Sequence, residues 1–555
     1  MSHTVTAARP DTDAPAGMTH RQVLEALSGL LLGMLVAILS STVVSTSLPK
    51  IIADLGGTQS SYTWVVTSTL LATTVSTPLW GKFADLFNRK LLLQLSLVVF
   101  VVGSGLAGLS TSSGMLIGFR VLQGLGAGGL TALSTVVMAD IISPRERGRY
   151  MGYLGAVMAV GTLGGPLLGG FITDGIGWRW NFYVGVPIAA VAIVVLQRTL
   201  HLPTLERRAV SIDYLGAALI SGSVSLLLIW VTLGGQQFDW GSWQSMVMVG
   251  GSLLMGALLM VVELRAPEPI LPLSLFRNRT VVLAIVASVS VGVAMFGTTV
   301  FLSQYMQLAR GKTPTESGLL TMPLIIGVLL SSTIAGQLIS RTGVWKRYVV
   351  SGGVLLVIGM ALMGTIRYDT SWTALSISMF VMGVGVGMVM QNLVLVVQNV
   401  LPIRQMGAGT AAVAFFRSLG GAVGVSAMGA ILASRVLTLL LEGLTKLHIP
   451  ASAMRSTTTV PDLSTLPVPI RLVVERAYGE AVGDIFLAAL PVAVVALIAV
   501  AFLPNARLGT RSGAELLLEE SEAAAGLTPV LDEGDVEAAT AGRRGADEAA
   551  GKVRI

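Results

Sequence analysis

The chain has 555 residues, 53% hydrophobic and 12% charged, with a mean hydropathy of +0.77, far from the balance of a soluble globular domain. It has no cysteine, and its four histidines, His3, His20, His201 and His448, lie apart in tails and loops, which argues against disulfides, thiolate chemistry and a clustered metal site. The net charge of +6 is spread in small basic groups between apolar runs, a pattern that speaks to membrane topology rather than to nucleic acid.

A helix needs about 20 apolar residues to cross the hydrocarbon core. Fourteen such runs can be drawn: 24–48, 61–80, 91–110, 113–139, 150–173, 181–198, 212–234, 243–263, 281–305, 318–338, 348–366, 373–397, 407–432 and 484–503. Ahead of them, residues 1–23 are polar with Pro10 and Pro15, and read as a cytoplasmic tail rather than a signal peptide. Span 1 holds the hydroxyl run Ser40-Ser41-Thr42. After span 2 comes Gly81-Lys82-Phe83-Ala84-Asp85-Leu86-Phe87-Asn88-Arg89-Lys90. Span 4 buries Arg120 and Gln123 and ends near Asp140, the cation costing about 2.5–3.5 kcal/mol to insert. Span 5 carries Gly161, Gly165, Pro166, Gly169 and Gly170, where the proline bends a helix and the glycines let another helix pack against the bend. Before span 6, Trp178 and Trp180 suit a membrane interface.

Spans 7 and 8, within 212–263, stand between two sets of six, and span 13 contains a second buried cation in Phe415-Phe416-Arg417-Ser418-Leu419-Gly420-Gly421. Structural neutralisation of helix ends and contact with an anionic substrate are both open for Arg417. The stretch 433–483, with Pro450, Pro461, Pro467 and Pro469, reads as one long outer loop with room for a short helix or hairpin. The segment 504–555 carries 10 of the 30 acidic residues and too few apolar groups to repay ordering, so it is expected to be a disordered cytoplasmic tail.

Placing the amino terminus inside puts Lys82, Arg89 and Lys90, Arg145, Arg147 and Arg149, Arg207 and Arg208, and Lys346 and Arg347 on the cytoplasmic side, as the positive-inside rule requires. Both termini are then cytoplasmic. A faint repeat supports two related halves: Gly81-Lys82-Phe83-Ala84-Asp85 returns as Gly336-Gln337-Leu338-Ile339-Ser340, and the same offset of 255 relates Gly165 to Gly420 and Gly169 to Gly424.

Together these runs resemble the fourteen-span drug:proton antiporter family of the major facilitator superfamily, the multidrug and quaternary-ammonium exporter type, over the chain up to about residue 510. Gly81 to Lys90 is similar to Gly-x-Leu-Ala-Asp-Arg-x-Gly-Arg-Lys, Arg120 to Gly124 to Arg-x-x-Gln-Gly, and Gly161 to Gly170 to the Gly-Pro signature of antiporters. Further matches are Pro144-Arg145-Glu146-Arg147-Gly148, Trp178-Arg179-Trp180 with Phe182, and the span 13 run. The resemblance implies an all-α membrane protein of the major facilitator fold: a six-helix bundle 24–198, two linker helices in 212–263, and a second bundle 281–503. It implies a conformational latch at Gly81, Asp85, Arg89 and Lys90 with Asp140, and an antiporter pivot at Gly161, Gly165, Pro166, Gly169 and Gly170.

Substrate and coupling candidates are Arg120, Gln123, Ser40, Thr42, Gln304, Tyr305, Gln391, Asn392 and Arg417, with Trp64, Phe296, Met390 and Phe416 as further lining residues. Two departures stand out. Ser40 replaces the family's span 1 aspartate, and no carboxylate lies well inside any span, since Asp85, Asp140, Asp174, Glu263 and Asp484 fall at or near ends. Asn88 replaces a glycine, and asparagine tolerates the left-handed conformation that a tight turn there can need. The expected protein is a multi-pass cell-membrane transporter, monomeric and without cofactor. It exports hydrophobic or amphipathic small molecules by alternating access with proton antiport. Uptake of a solute, export of a lipid or metabolite, and a non-transporting membrane scaffold are the alternatives; an enzyme is not expected.

Overall fold

The computed structural model describes residues 20–508 apart from 57–58, 143–149, scattered positions between 151 and 174 that include Pro166 and Gly170, 201–212, 235–236, 267–268, 313, 403–404, 448–466 and 506–507. The regular structure of the described residues is helical. The first half contains α1 (His20–Asp54), α2 (Gln59–Leu86), α3 (Arg89–Gly108) and α4 (Ser113–Ile141). A partly described fifth segment within 150–175 follows, then the single turn α5 (Trp180–Tyr183) and α6 (Gly185–Thr199). Next come α7 (Tyr214–Leu233) and α8 (Trp243–Glu263). The second half comprises α9 (Arg279–Gln304), widening into a π turn at Tyr305–Ala309, α10 (Pro314–Leu320), α11 (Met322–Thr342), α12 (Lys346–Gly364), α13 (Trp372–Val400), α14 (Met406–Lys446) and α15 (Val468–Ala501).

Helix is the outcome that lipid imposes, because a spanning segment has no water to satisfy its backbone and must do so internally. Caps start and stop the spans locally. Asn88 opens α3, its side chain accepting from Lys90 N and Leu91 N, and Ser112 opens α4 by accepting from Met115 N. Asn88 has φ −62°, so the left-handed turn expected at that position does not form and the residue acts as an N-cap instead. Asn88→Ala should therefore cost about 1 kcal/mol of stability, read as a lower melting temperature of the purified protein, without moving the helices.

Among the described residues, twelve helices are long and apolar enough to cross a membrane. Of the fourteen expected spans, the two not among them are α2, which has the length at 28 residues but is diluted by Thr69, Thr73, Thr74, Ser76 and Thr77, and the partly described fifth segment. The described residues of the expected outer loop 433–483 are largely helical: α14 runs on to Lys446 and α15 begins at Val468. Arg435 and Asp484 do not end the spans there but join the two helices, with Arg435 Nη2 2.7 Å from Asp484 Oδ2. A helix leaving the bilayer no longer needs apolar residues, only continued backbone pairing.

Two packed bundles result, with separate apolar cores. A similar glycine contact recurs in the two halves. Gly124 and Gly128 of α4 sit against Thr69 and Ser76 of α2, and Gly383 and Gly387 of α13 sit against Leu324 and Ser331 of α11. Small residues at four-residue spacing let backbones approach, which is what holds helices together where lipid supplies no hydrophobic drive between them. Outward faces stay apolar, as with Leu91, Leu95, Val98 and Val102 on α3 and Met246, Leu253 and Leu254 on α8, a surface that lipid tolerates and water does not. The linker pair is clasped by Ser223 and Ser252, each hydroxyl donating to the other's carbonyl at 2.8 and 2.9 Å. Ile220, Val224 and Leu228 of α7 cover Leu71, Val75 and Leu79 of α2 and Phe415 and Phe416 of α14.

Candidate functional site

The halves meet where α2 ends and α14 begins. Gly407 N and Ala408 N, in the first turn of α14, each donate to the Asp85 carboxylate at 2.9 Å. An anion at a helix amino terminus is favoured by both the unpaired N–H groups and the dipole. Arg89 lies 3.7 Å from Asp85, donates to Ala84 O at 2.8 Å and pairs with Asp140 at the end of α4. The side chains of Asp85, Arg89 and Asp140 are only 3–5% exposed. Four of the expected latch residues are thus brought together, since Gly81 also closes on Gly407 and Ala411. Lys90 serves differently: its ammonium donates to Gln197 O at 2.8 Å near the end of α6.

Residues that the sequence reading missed complete this end. A Cβ on Gly407 would stand 2.5 Å from Gly81 O and overlap Asp85, so only glycine permits the approach. The Gln398 amide donates to Thr135 O across the halves at 3.3 Å and to Thr410 Oγ1 at 2.9 Å, and Ala139 packs on Met406. Lys82 lies within electrostatic reach of Asp85 and of Glu263 at the end of α8. The available signal was a buried amide and a glycine beside a span boundary, which many spans share.

The expected pivot forms a seam on α1. Gly161 faces Ile38, Gly165 faces Thr42, and Gly169 faces Val43, where a Cβ would lie 2.6 Å from the carbonyl oxygen. Thr42 donates to Gly161 O at 2.9 Å, Ser47 to Gly169 O at 3.2 Å, and Ser47 and Thr173 are 2.6 Å apart. Asn181 of α5 donates to both of those hydroxyls at 2.7 Å. Pro166 and Gly170 lie outside the described residues. The counterpart in the second half is Gly420 and Gly424 of α14 against Val289 and Val293 of α9. Thr42 is thus placed in the seam, and Ser40 is buried against Gly185 with a hydroxyl that has no partner among the described residues.

The two interior cations are held differently. Arg120 donates to Gln123 Oε1 at 2.7 Å and to Val65 O at 3.4 Å, and Gln123 passes on to Ser104 at 3.1 Å. The amide three residues along takes the place of the acid that the sequence lacks. The Arg417 guanidinium has no hydrogen-bond or ion-pair partner among the described residues, and it lies in the body of a 41-residue helix, so it does not neutralise a helix end.

The remaining candidates do not converge on one point. Tyr305 donates to Arg367 O at 2.7 Å and its neighbour Gln304 has a buried, unpartnered Oε1. Both lie about 20 Å along α9 from Gly292, which packs on the Arg417 carbonyl. Asn392 bonds to Met388 O of its own helix at 2.6 Å beside Gln391, while Met390 belongs to the core of the second half. Phe296 packs on Gly421, Phe416 on Phe276, and Trp64 lies partly exposed on α2. Trp178, expected at an interface, is buried and donates to Asp54 Oδ2 at 2.9 Å.

Comparison with known proteins bears on this arrangement. The chain is 38% identical over 473 residues to an uncharacterized MFS-type transporter of Mycobacterium tuberculosis (strain ATCC 25618 / H37Rv), covering 85% of this chain and 68% of that one. It is 34% identical over 419 residues to a multidrug transporter protein of Bacillus subtilis (strain 168), covering 75% and 77%. Among solved structures, a proton:xylose symporter superposes with a TM-score of 0.58 at 15% identity, over 90% of this chain and 100% of that one, a likeness of fold alone. The Major Facilitator Superfamily model matches residues 30–425. The chain is a multi-pass membrane protein and a secondary transporter, not an enzyme, and belongs to the major facilitator superfamily.

Proposed function

We propose that the protein is a fourteen-span, proton-driven exporter of hydrophobic or amphipathic small molecules, with both termini cytoplasmic, working as a monomer by alternating access. The observation that carries this reading is the Asp85 carboxylate, supplied by one half and bound by two N–H groups in the first turn of α14 in the other. It closes the cytoplasmic end while leaving the contact breakable, because it consists of a few charge-assisted hydrogen bonds and not of a continuous core. When it breaks, the halves rock about the α1 and α9 seams and expose the cavity to the inner face. The multidrug transporter among the relatives supports export, and the glycine seam at Gly161, Gly165 and Gly169 supports a pivot of antiporter type. α2 and the fifth segment supply the thirteenth and fourteenth crossings.

Proton coupling has to run without a span 1 acid, and Arg120 with Gln123 is the polar centre of the first half on which it turns. Purified protein in liposomes with an imposed pH gradient should move members of a panel of aromatic dyes, anionic, neutral and cationic, and a protonophore should abolish that movement. Arg120→Ala should cut the gradient-driven rate at least about tenfold, because removing the cation takes away the donor to Gln123 Oε1 and the charge buried in the interior of the first half. Transport that ignores the protonophore, or Arg120→Ala at the wild-type rate, rejects the coupling scheme.

A further inference from the structure

The interiors of the spans contain two cations and no acid. From residue 26 to 53, 60 to 84, 91 to 139, 175 to 205, 214 to 238, 269 to 315, 317 to 368 and 370 to 441 there is neither aspartate nor glutamate. Arg120 is nevertheless settled by Gln123 and Val65 O, whereas the Arg417 guanidinium has no partner among the described residues. Arg417 lies eleven residues into α14, about 16 Å along the axis from the Asp85 contact and so near mid-membrane. A lipid phosphate at the interface is out of reach from there for a side chain of arginine's length.

The neighbours of Arg417 in the chain are aromatic. Phe415 and Phe416 are its neighbours in sequence with ring centroids 5.0 Å apart, Phe276 stacks edge-on to Phe416 at 6.2 Å, and Phe296 of α9 packs on Gly421 one turn further along. An unpaired guanidinium in an acid-free, apolar interior matches one chemistry, an apolar body carrying a carboxylate or sulfonate. The apolar interior takes the body and the fork of N–H donors takes the anion. We propose that Arg417 is the anion subsite of the transport cavity and that the favoured substrates are amphipathic organic anions. This rests on the export reading above, and it departs from the cationic substrates that a span 1 aspartate would favour, because Ser40 leaves no negative charge to receive them.

Liposomes containing the full-length protein, under one fixed pH gradient, are assayed with carboxyfluorescein as the anion and rhodamine 6G as the cation, two dyes of related ring system and opposite charge. Wild type is expected to move carboxyfluorescein. Arg417→Gln should lower the carboxyfluorescein-to-rhodamine rate ratio tenfold or more, chiefly through KM, and Arg417→Lys should fall between, keeping the charge but losing the two-pronged donor. The lysine variant carries the test if the glutamine variant does not purify as a single species. Wild type that moves rhodamine 6G but not carboxyfluorescein, or Arg417→Gln with the wild-type ratio, overturns the anion subsite and leaves the export reading standing. Wild type that moves neither dye overturns the export reading itself.

Discussion

Asp85→Asn should leave the protein inserted and abundant but lower dye export at least about tenfold. The substitution keeps an acceptor oxygen and the side chain's shape, and removes the charge. Hydrogen bonds to a charged group contribute about 1.5–3 kcal/mol each, roughly twice those between neutral groups. Gly407 N and Ala408 N would both weaken, one of them facing an amide N–H₂ in place of a carboxylate oxygen. Arg89 would keep Asp140 as its partner, so the local fold survives. A loss of about 1.5–3 kcal/mol changes the ratio of closed to open states at this end by one to two orders of magnitude. Single-cysteine labelling at the cytoplasmic end, convenient in a chain without native cysteine, should rise in step with the loss of export. Gly407→Ala should do the same by a different route, since its methyl group overlaps Asp85 and crowds Gly81 O. If labelling and export both match wild type in Asp85→Asn, the latch has no role in the transport cycle.

Gly165→Ala should slow export by about tenfold and Gly165→Leu should abolish it, with membrane insertion intact in both. Any Cβ at this position overlaps the Thr42 hydroxyl, which is itself engaged by Gly161 O at 2.9 Å. Overpacking a close helix seam costs about 1–3 kcal/mol and displaces one backbone from the other. Insertion depends on the hydropathy of the segment, which either substitution raises, so abundance should hold. The seam also predicts its own remedy. Thr42→Ala removes the nearer of the two Thr42 atoms that the new methyl group meets, the Thr42 Cβ staying 2.5 Å away, so the double variant Thr42→Ala with Gly165→Ala should recover part of the export that Gly165→Ala loses. Coupling of this kind is expected only between residues in contact. Additive losses in the double variant would place the defect somewhere other than the Thr42 contact.

Composition alone dictated a polytopic helical membrane protein, because 53% hydrophobic and 12% charged residues arranged in runs of about 20 leave no other way to satisfy the backbone. The motif around Asp85 and Arg89, with Asp140, was legible through its resemblance to Gly-x-Leu-Ala-Asp-Arg-x-Gly-Arg-Lys, a run of charges that the spans themselves do not require. The glycine spacing at Gly161, Gly165 and Gly169 likewise announced a close seam before its partner was known. What composition and spacing do not encode is which residues from distant spans meet. That α14 offers its amino terminus to Asp85, that Thr42 fills the space opposite Gly165, and that Gln398 bridges to Thr135 depend on helix rotation and register across more than a hundred residues of chain. The same limit governed the arginines. In sequence Arg120 and Arg417 are both buried cations, and the tertiary structure separates them, because a partner three residues away reaches Arg120 along one helix face while none of the described residues reaches Arg417. Helix α14 outran its apolar stretch for the converse reason, since backbone pairing continues past the apolar run, where hydropathy gives no signal.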